Sequence, residues 1–271
     1  MIIMCRVSFP KDHENTIKYP YGIPADVSIP KDHPRYKSLM VREHLAEMVE
    51  KGMVNPTGLI SHGRGEAFDY LMGEKTLDAS LEAEKAAAAF LLKAKRPLVC
   101  VNGNAAALDA KRLIALAKEI PAALEINLFH RTEERVEKLI QYMESEGGKN
   151  VLGRNPDARI TGLNHDRALC TKTLFDCDAI VVPIEDGDRA EALVKMGKVV
   201  ISIDINPLSR TSRTATVPVS DEMSRALENI IRFVRELKGK DDEIESIIKS
   251  YSNEKNRKEV LHQIAEYLES Q

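Results

Sequence analysis

The sequence predicts an α/β protein with a Rossmann-like three-layer fold, a mostly parallel sheet and extra helices at both ends. Three observations point there. The apolar runs Leu98–Val101, Ala179–Val182 and Val199–Ile203 alternate with helical segments, which is the rhythm of βαβ units. These runs are continuous in Val and Ile without polar alternation, as in strands covered on both faces. Each is followed by a polar turn rich in Asn, Asp or Gly.

The elements follow in order. Residues 1–28 hold three of the 12 prolines and no helical period, so they are expected to form an arm ahead of a single domain over 29–271. Leu39, Met40, Leu45, Met48 and Val49 fall at helical spacing within Tyr36–Lys51, with Gly52 as a C-cap. Gly58–Ser61 is a short strand candidate, with a helix starting near Glu66. Ala79–Ala94 is helical by its alanine run and is broken by Pro97. Strand Leu98–Val101 precedes a helix near Asp109–Glu119, and strand Ala122–Ile126 precedes a helix over Thr132–Ser145. Val151-Leu152 is a weak strand; Ala179–Val182 leads to a helix over Asp188–Met196, then to Val199–Ile203. Val217–Val219 suits an edge, where its Pro218 is tolerated. Two helices, near Asp221–Leu237 and Asp241–Glu269, close the chain.

Composition removes several function classes. A length of 271 residues with 43% apolar side chains supports a sizeable core. With 39 basic and 42 acidic residues the net charge is −3, which argues against a nonspecific nucleic-acid binder. No apolar run reaches the ~18 residues of a membrane span, and the start is apolar for too short a stretch to be a secretory signal. Four scattered cysteines form no CxxC pair and fit a reducing, cytoplasmic setting. P-loop, HExxH, GxSxG and EF-hand patterns are missing.

Five polar segments would meet at the carboxyl edge of an open parallel sheet, where such folds bind ligands. They are Ser61–Glu66, Asn102–Asn104, Asn127–Arg131, Glu185–Arg189 and Asp204–Arg210. Gly63-Arg64-Gly65 could bring backbone N–H groups and a planar guanidinium to an anion, or could simply be a tight turn. The dinucleotide fingerprint fails because Phe68 stands at the third glycine. Glu185, Asp186 and Asp188 could hold Mg²⁺ through water or grip an amine, or equally be acids at a helix N-terminus. Asp204, Asn206 and Ser209 suit ribose, adenine or phosphate; a proline turn accounts for them as well. His33, His44 and His165 have no partner pattern and read as structural or solvated. The residues alone thus point to a site for a phosphorylated or carboxylated small molecule with a nucleotide.

The segments His33–Tyr36, Gly58–Tyr70, Val101–Asn104, Glu125–Thr132, Val182–Arg189 and Ile203–Arg210 resemble, in family order, the archaeal phosphopantothenate synthetases, also called 4-phosphopantoate–β-alanine ligases. Residues 1–28 share nothing with that family's start. The resemblance implies ATP-dependent joining of 4-phosphopantoate to β-alanine through an acyl-adenylate, releasing AMP and pyrophosphate, by a cytoplasmic homodimer. ATP and Mg²⁺ are the implied co-substrate and ion. The implied ATP contacts are Arg42, Arg64, Asp204, Ile205, Asn206, Arg210, Thr211, Glu222 and Met223; the last pair departs most from the family pattern. Within that scheme Arg64, His130 and Arg131 are assigned to the developing charge, and His62, Asn102, Asn104, Asn127, Asp186 and Asp188 to the substrates. A non-catalytic nucleotide-binding module and a dinucleotide-dependent dehydrogenase are the alternatives.

Overall fold

The structure, a computed structural model, describes residues 29–271; the expected N-terminal arm lies outside the described residues. Elements are numbered in chain order. Five strands, β1 (Pro97–Val101), β2 (Ala123–Ile126), β5 (Ala179–Pro183), β6 (Val199–Ile203) and β7 (Val217–Val219), form one parallel sheet in the order β2-β1-β5-β6-β7. Leu98 is paired with Ile180, Val181 with Ile201 and Ile201 with Val217. A separate antiparallel pair, β3 (Ala158–Arg159) with β4 (Leu169–Cys170), interrupts the connection from β2 to β5.

The strand period of two sorts the side chains onto two faces. Val99, Val101, Val181, Ile201 and Val217 pack against α3 (Asp78–Lys93), α4 (Gly103–Glu119), α5 (Glu133–Ser145) and α9 (Met223–Leu237). Leu98, Cys100, Ile180, Val182 and Val200 pack against α6 (Lys172–Asp176), α7 (Gly187–Lys195) and the β3–β4 segment. Both faces are covered, so the three-layer expectation holds. In α3 the run Ala86–Ala89 is wholly buried against the sheet and α9, where only small side chains fit.

Several element expectations need correction. Gly58–Ser61 is not a strand and Ser61–Glu66 is not a loop: both lie within α2 (Pro56–Leu71). The helix begins earlier because Asn55 caps it, accepting from the Thr57 N–H at 3.0 Å, and Pro56 occupies its first turn. The helix expected near Asp109 starts at Gly103, and Asp109 marks a kink inside it. Val151-Leu152 contributes one isolated bridge, Leu152 to Glu125. The last segment is two helices, α10 (Asp241–Ser250) and α11 (Asn253–Glu269), because Ser252 caps a fresh start. The remaining helices are α1 (Tyr36–Glu50) and the short α8 (Arg210–Thr214).

From β1 the chain winds one way to β2, then returns on the other side of β1 to β5 and onward. The topological switch therefore lies between β1 and β5. There Asn102 accepts from the Ala105 N–H and donates through Nδ2 to the carbonyls of Pro183 (2.8 Å) and Ile184 (3.2 Å). At the adjoining α4 start a Cβ on Gly103 would lie 2.4 Å from the Met53 carbonyl oxygen, so only glycine fits.

Candidate functional site

A cavity of about 880 Å³ opens over the carboxyl ends of β5, β6 and β7, the edge where the sequence placed the site. Its floor is Ile184 and Glu185 after β5, Asp204–Asn206 after β6, and Asp221–Arg225 after β7. Thr211 and Arg210 of α8 close one side. The roof is α1 and α2, which present Ser38, His62, Arg64 and Asp69.

The floor is built from residues whose polar atoms are already spent on local structure. Asp204 accepts from the Asn206 N–H at 3.1 Å and from the Ser209 hydroxyl. Burial pushes its carboxyl above the usual range, against those donors and the charge of Arg64 across the cavity. Glu222 caps α9 by accepting from the N–H groups of Ser224 and Arg225. Thr211 donates its hydroxyl to the Glu185 carbonyl at 2.8 Å. Gly187 must be glycine, since a Cβ there would meet Arg210 at 2.8 Å. Ile184 sits at φ +49°, a left-handed value that is an outlier for a β-branched residue. Such strain gathers at functional sites.

The roof is held differently. No side chain of α2 is buried. Glu66 on α2 accepts from Arg42 Nε at 2.9 Å and from the Ser38 hydroxyl, binding α2 to α1. Burial opposes the charge on Glu66, but these donors hold its carboxyl below the ordinary range. Burial also pulls His62 below the usual histidine value, against Glu66 and Glu222, leaving a neutral imidazole at pH 7. Arg64 stands mid-helix, so the expected cradle of free N–H groups around it does not form; its guanidinium alone faces the cavity.

A sequence profile of the phosphopantothenate/pantothenate synthetase family matches residues 79–267, which span the whole sheet and the floor of the cavity. The chain belongs to this family. Three archaeal proteins named 4-phosphopantoate–β-alanine ligase are similar over most of their length. That of Methanosarcina mazei is 47% identical over 244 residues, covering 89% of this chain and 96% of the relative. That of Methanospirillum hungatei is 53% identical over 210 residues, 77% and 86% of the two chains. That of Thermococcus kodakarensis is 46% identical over 245 residues, 89% and 94%.

In this synthetase-family chain, eight of the nine residues expected to contact ATP line the one cavity: Arg64, Asp204, Ile205, Asn206, Arg210, Thr211, Glu222 and Met223. The ninth, Arg42, lies at the rim on Glu66, and His62 joins the lining from the substrate set. The other expected residues sit elsewhere. Asn102 is held at the switch point, and Asn104 donates to the Gly58 carbonyl at 2.9 Å. Asn127 donates to the Leu169 carbonyl at 2.9 Å and accepts from Arg167 Nε at 3.0 Å. Asp186 caps α7, and Asp188 pairs with Arg210. Arg131 donates to the Gly153 carbonyl at 2.8 Å; His130 is exposed, at φ +50°.

Sequence reasoning missed a second, buried charge centre beside the cavity. Both oxygens of Glu185 are taken by guanidinium groups, those of Arg167 and Arg189. Arg167 also lies 5.1 Å from the Phe129 ring centroid, and Phe129 stacks on His165. Asp186 lies 3.9 Å from Arg167 as a second carboxylate, so two arginines meet two acids beside β1, β2 and β5. Glu185 and Arg189 stand four apart at a helix start, a spacing visible in sequence; Arg167 is not. Asp69, Asp221 and Arg225, all lining the cavity, were missed too.

Proposed function

We propose that this chain is a 4-phosphopantoate–β-alanine ligase that spends ATP and releases AMP and pyrophosphate. The observation that carries the reading is the gathering of eight expected nucleotide-contact residues, drawn from two loops and three helices, around one cavity. In the first step the substrate carboxylate attacks the α-phosphorus of ATP and pyrophosphate leaves. In the second the β-alanine amine attacks the acyl carbon and AMP leaves. Neither step needs a protein nucleophile; positioning and charge neutralisation suffice.

Arg64 from the roof and Arg210 from α8 meet the phosphates, with Arg42 in reserve on Glu66. Asp204 and Asn206 hold the nucleoside. The neutral imidazole of His62 can accept a hydrogen bond or a proton from a substrate group. The side chains of Arg131 and Arg167 are buried and engaged with Gly153 and Glu185, so the phosphate of phosphopantoate is left to the arginines that line the cavity. Among the described residues no group of three or more His, Cys, Asp or Glu side chains is placed to hold a metal. Glu185 and Asp188 are engaged with arginines. Mg²⁺ fits as the ion that ATP brings, bound through phosphates and water. Among the described residues no helix is long and apolar enough to cross a membrane, and a cytoplasmic setting goes with this reading. The exposed apolar side chains of α2, Leu59, Ile60 and Leu71, suit contact with a second copy in a homodimer.

Product analysis tests the mechanism. AMP and pyrophosphate should appear in equal amounts with the amide, and only when ATP and both substrates are present. ADP and phosphate in their place would mean an acyl-phosphate route and overturn the mechanism.

A further inference from the structure

α2 carries Arg64 and His62 over the cavity, yet it buries none of its own side chains. Phe68, partly buried against the small cluster of Met72, Leu77, Val260 and Ile264, is its apolar foothold. Its strongest link to the floor is ionic. Arg225, in the first turn of α9, donates through both terminal nitrogens to Asp69 of α2, at 2.6 and 3.1 Å. The same guanidinium donates to Asp221, at 3.0 Å from Nε and 2.7 Å from a terminal nitrogen. Asp221 is itself fixed: it accepts from the Thr76 hydroxyl at 2.6 Å and from the Glu222 N–H at 2.7 Å.

We infer that Arg225 is a positioning residue: clamped between Asp221 of the floor and Asp69 of the roof, it sets the place of the helix that carries Arg64 and His62. Bidentate pairing fixes direction as well as distance, which a lysine cannot reproduce. Burial works against the charge on Arg225, but its two carboxylates more than offset this and keep it ionised.

A second buried group supports the clamp from below. Glu84 of α3 is fully buried, and neither carboxyl oxygen has a hydrogen-bond partner within normal limits. Asp221 faces it from the β7–α9 turn, and Asn229 and Arg232 face it from α9. The neighbouring elements bring no free charge: Glu243 of α10 is paired with Lys85, and Asn256 of α11 donates to the Ala79 carbonyl. Burial first, then Asp221, push the Glu84 carboxyl up to about 10, so it is neutral at pH 7. A neutral acid leaves Asp221 free to serve Arg225. An ionised one would set two carboxylates side by side and add negative charge under a cavity that takes a polyanion.

This inference rests on the reading that the cavity binds ATP, so the wild type is first titrated with ATP by calorimetry. Failure there would sink that reading and leave the clamp unaddressed by kinetics alone; the melting temperatures below would still report on it. Given binding, Asp69→Asn should weaken ATP affinity about five-fold or more. Simple charge repulsion predicts the opposite, since removing an acid beside a polyanion strengthens binding. Arg225→Gln should weaken it about ten-fold, Arg225→Lys should not restore it, and the double variant should be no worse than Arg225→Gln, because the two residues act as one pair. Additive losses would place Arg225 on the nucleotide itself and overturn the positioning role. Unchanged or improved affinity in Asp69→Asn would overturn it as well. For Glu84, the Leu variant should lose affinity and the isosteric Gln variant should recover it; equal loss in both would remove Glu84 from the clamp. If ATP does not bind, Asp69→Asn and Arg225→Gln should still lower the melting temperature non-additively, and an additive fall would count against the pair.

Discussion

The floor and the roof of the same cavity are made by opposite means. The floor stands on strand ends, and Glu185, Thr211 and Asp221 in it are all less than a tenth exposed. Its carboxylates, hydroxyls and turns are committed to caps and to one another before any ligand arrives. The roof is a pair of helices. Buried Leu45 and Met48 anchor α1, while α2 has no buried side chain and is tied to α1 through Glu66, to α4 through Asn104 and to α9 through Arg225. The floor therefore supplies fixed geometry, and the roof supplies charge that can be adjusted at small cost to the core. Changes to the floor should register first in stability, and changes to the roof first in kinetics.

The largest expected effect is in the floor. Glu185→Leu would leave Arg167 and Arg189 buried without their shared carboxylate, a loss of about 3–5 kcal/mol by analogy with broken buried ion pairs. The melting temperature should fall by about 10 °C, and by less than about 3 °C if the centre is not charged as described. Differential scanning calorimetry reads this directly. In the roof, Arg64→Ala should lower kcat/KM for ATP at least about ten-fold, with Arg64→Lys close behind, since a charge-assisted hydrogen bond contributes about 1.5–3 kcal/mol. The melting temperature should stay within a degree or two; a parallel loss of stability and activity would assign Arg64 a structural part instead.

A smaller effect, of opposite sign, is expected beneath the floor. Glu84 has a folded-state pKa of about 10, well above its unfolded value, so the native state binds the extra proton between those limits. The stability this provides is complete below the unfolded pKa and is lost as pH rises towards about 10. Glu84→Gln removes that dependence. At pH 8 it should melt about 2–4 °C above the wild type, and the gap should shrink towards pH 5. A gap that does not vary with pH would mean Glu84 is not the titrating group. The smallest effect concerns the chain before the described residues: removing residues 1–28 should leave kcat within a few-fold, and a folded truncation with activity lost by orders of magnitude would bring that segment into the site.

The floor and the α1 half of the roof were legible in the sequence and α2 was not, for physical reasons. Apolar runs of four or five residues bounded by polar turns mark buried parallel strands, and β1, β5 and β6 fall within one residue of their expected ends. The polar residues after them recur at the carboxyl edge because chain direction alone puts them there. Gly58–Ser61 misled because two apolar side chains, Leu59 and Ile60, between small residues do not distinguish a strand from one helical turn. The stronger signal was the Asn55-Pro56 start just before it. The Asp69–Arg225 pair joins positions 156 apart, so no local pattern announces it. Its partner Asp221–Arg225 is a four-residue step at a helix start and could have been found.

The β1–α4 turn has a consequence for what this scaffold can be made to hold. Doubly wound folds commonly seat the pyrophosphate of a dinucleotide at that turn, on the N–H groups that open the helix. In this chain the place is plugged from within. The carbonyl of Met53, steadied by the Arg135 guanidinium at 3.2 Å, stands over Gly103, and the Asn102 amide laces β1 to β5 across the crevice. The Met53 carbonyl takes up the space beside Gly103, and the helix start is capped by the chain's own Asn102, which accepts from the Ala105 N–H. The binding cavity has accordingly moved along the sheet towards β6 and β7, and the dinucleotide-dependent alternative loses its usual berth. Anyone wishing to turn this protein into a dehydrogenase would have to dislodge the 52–54 connection first; grafting a glycine fingerprint onto the turn would not be enough.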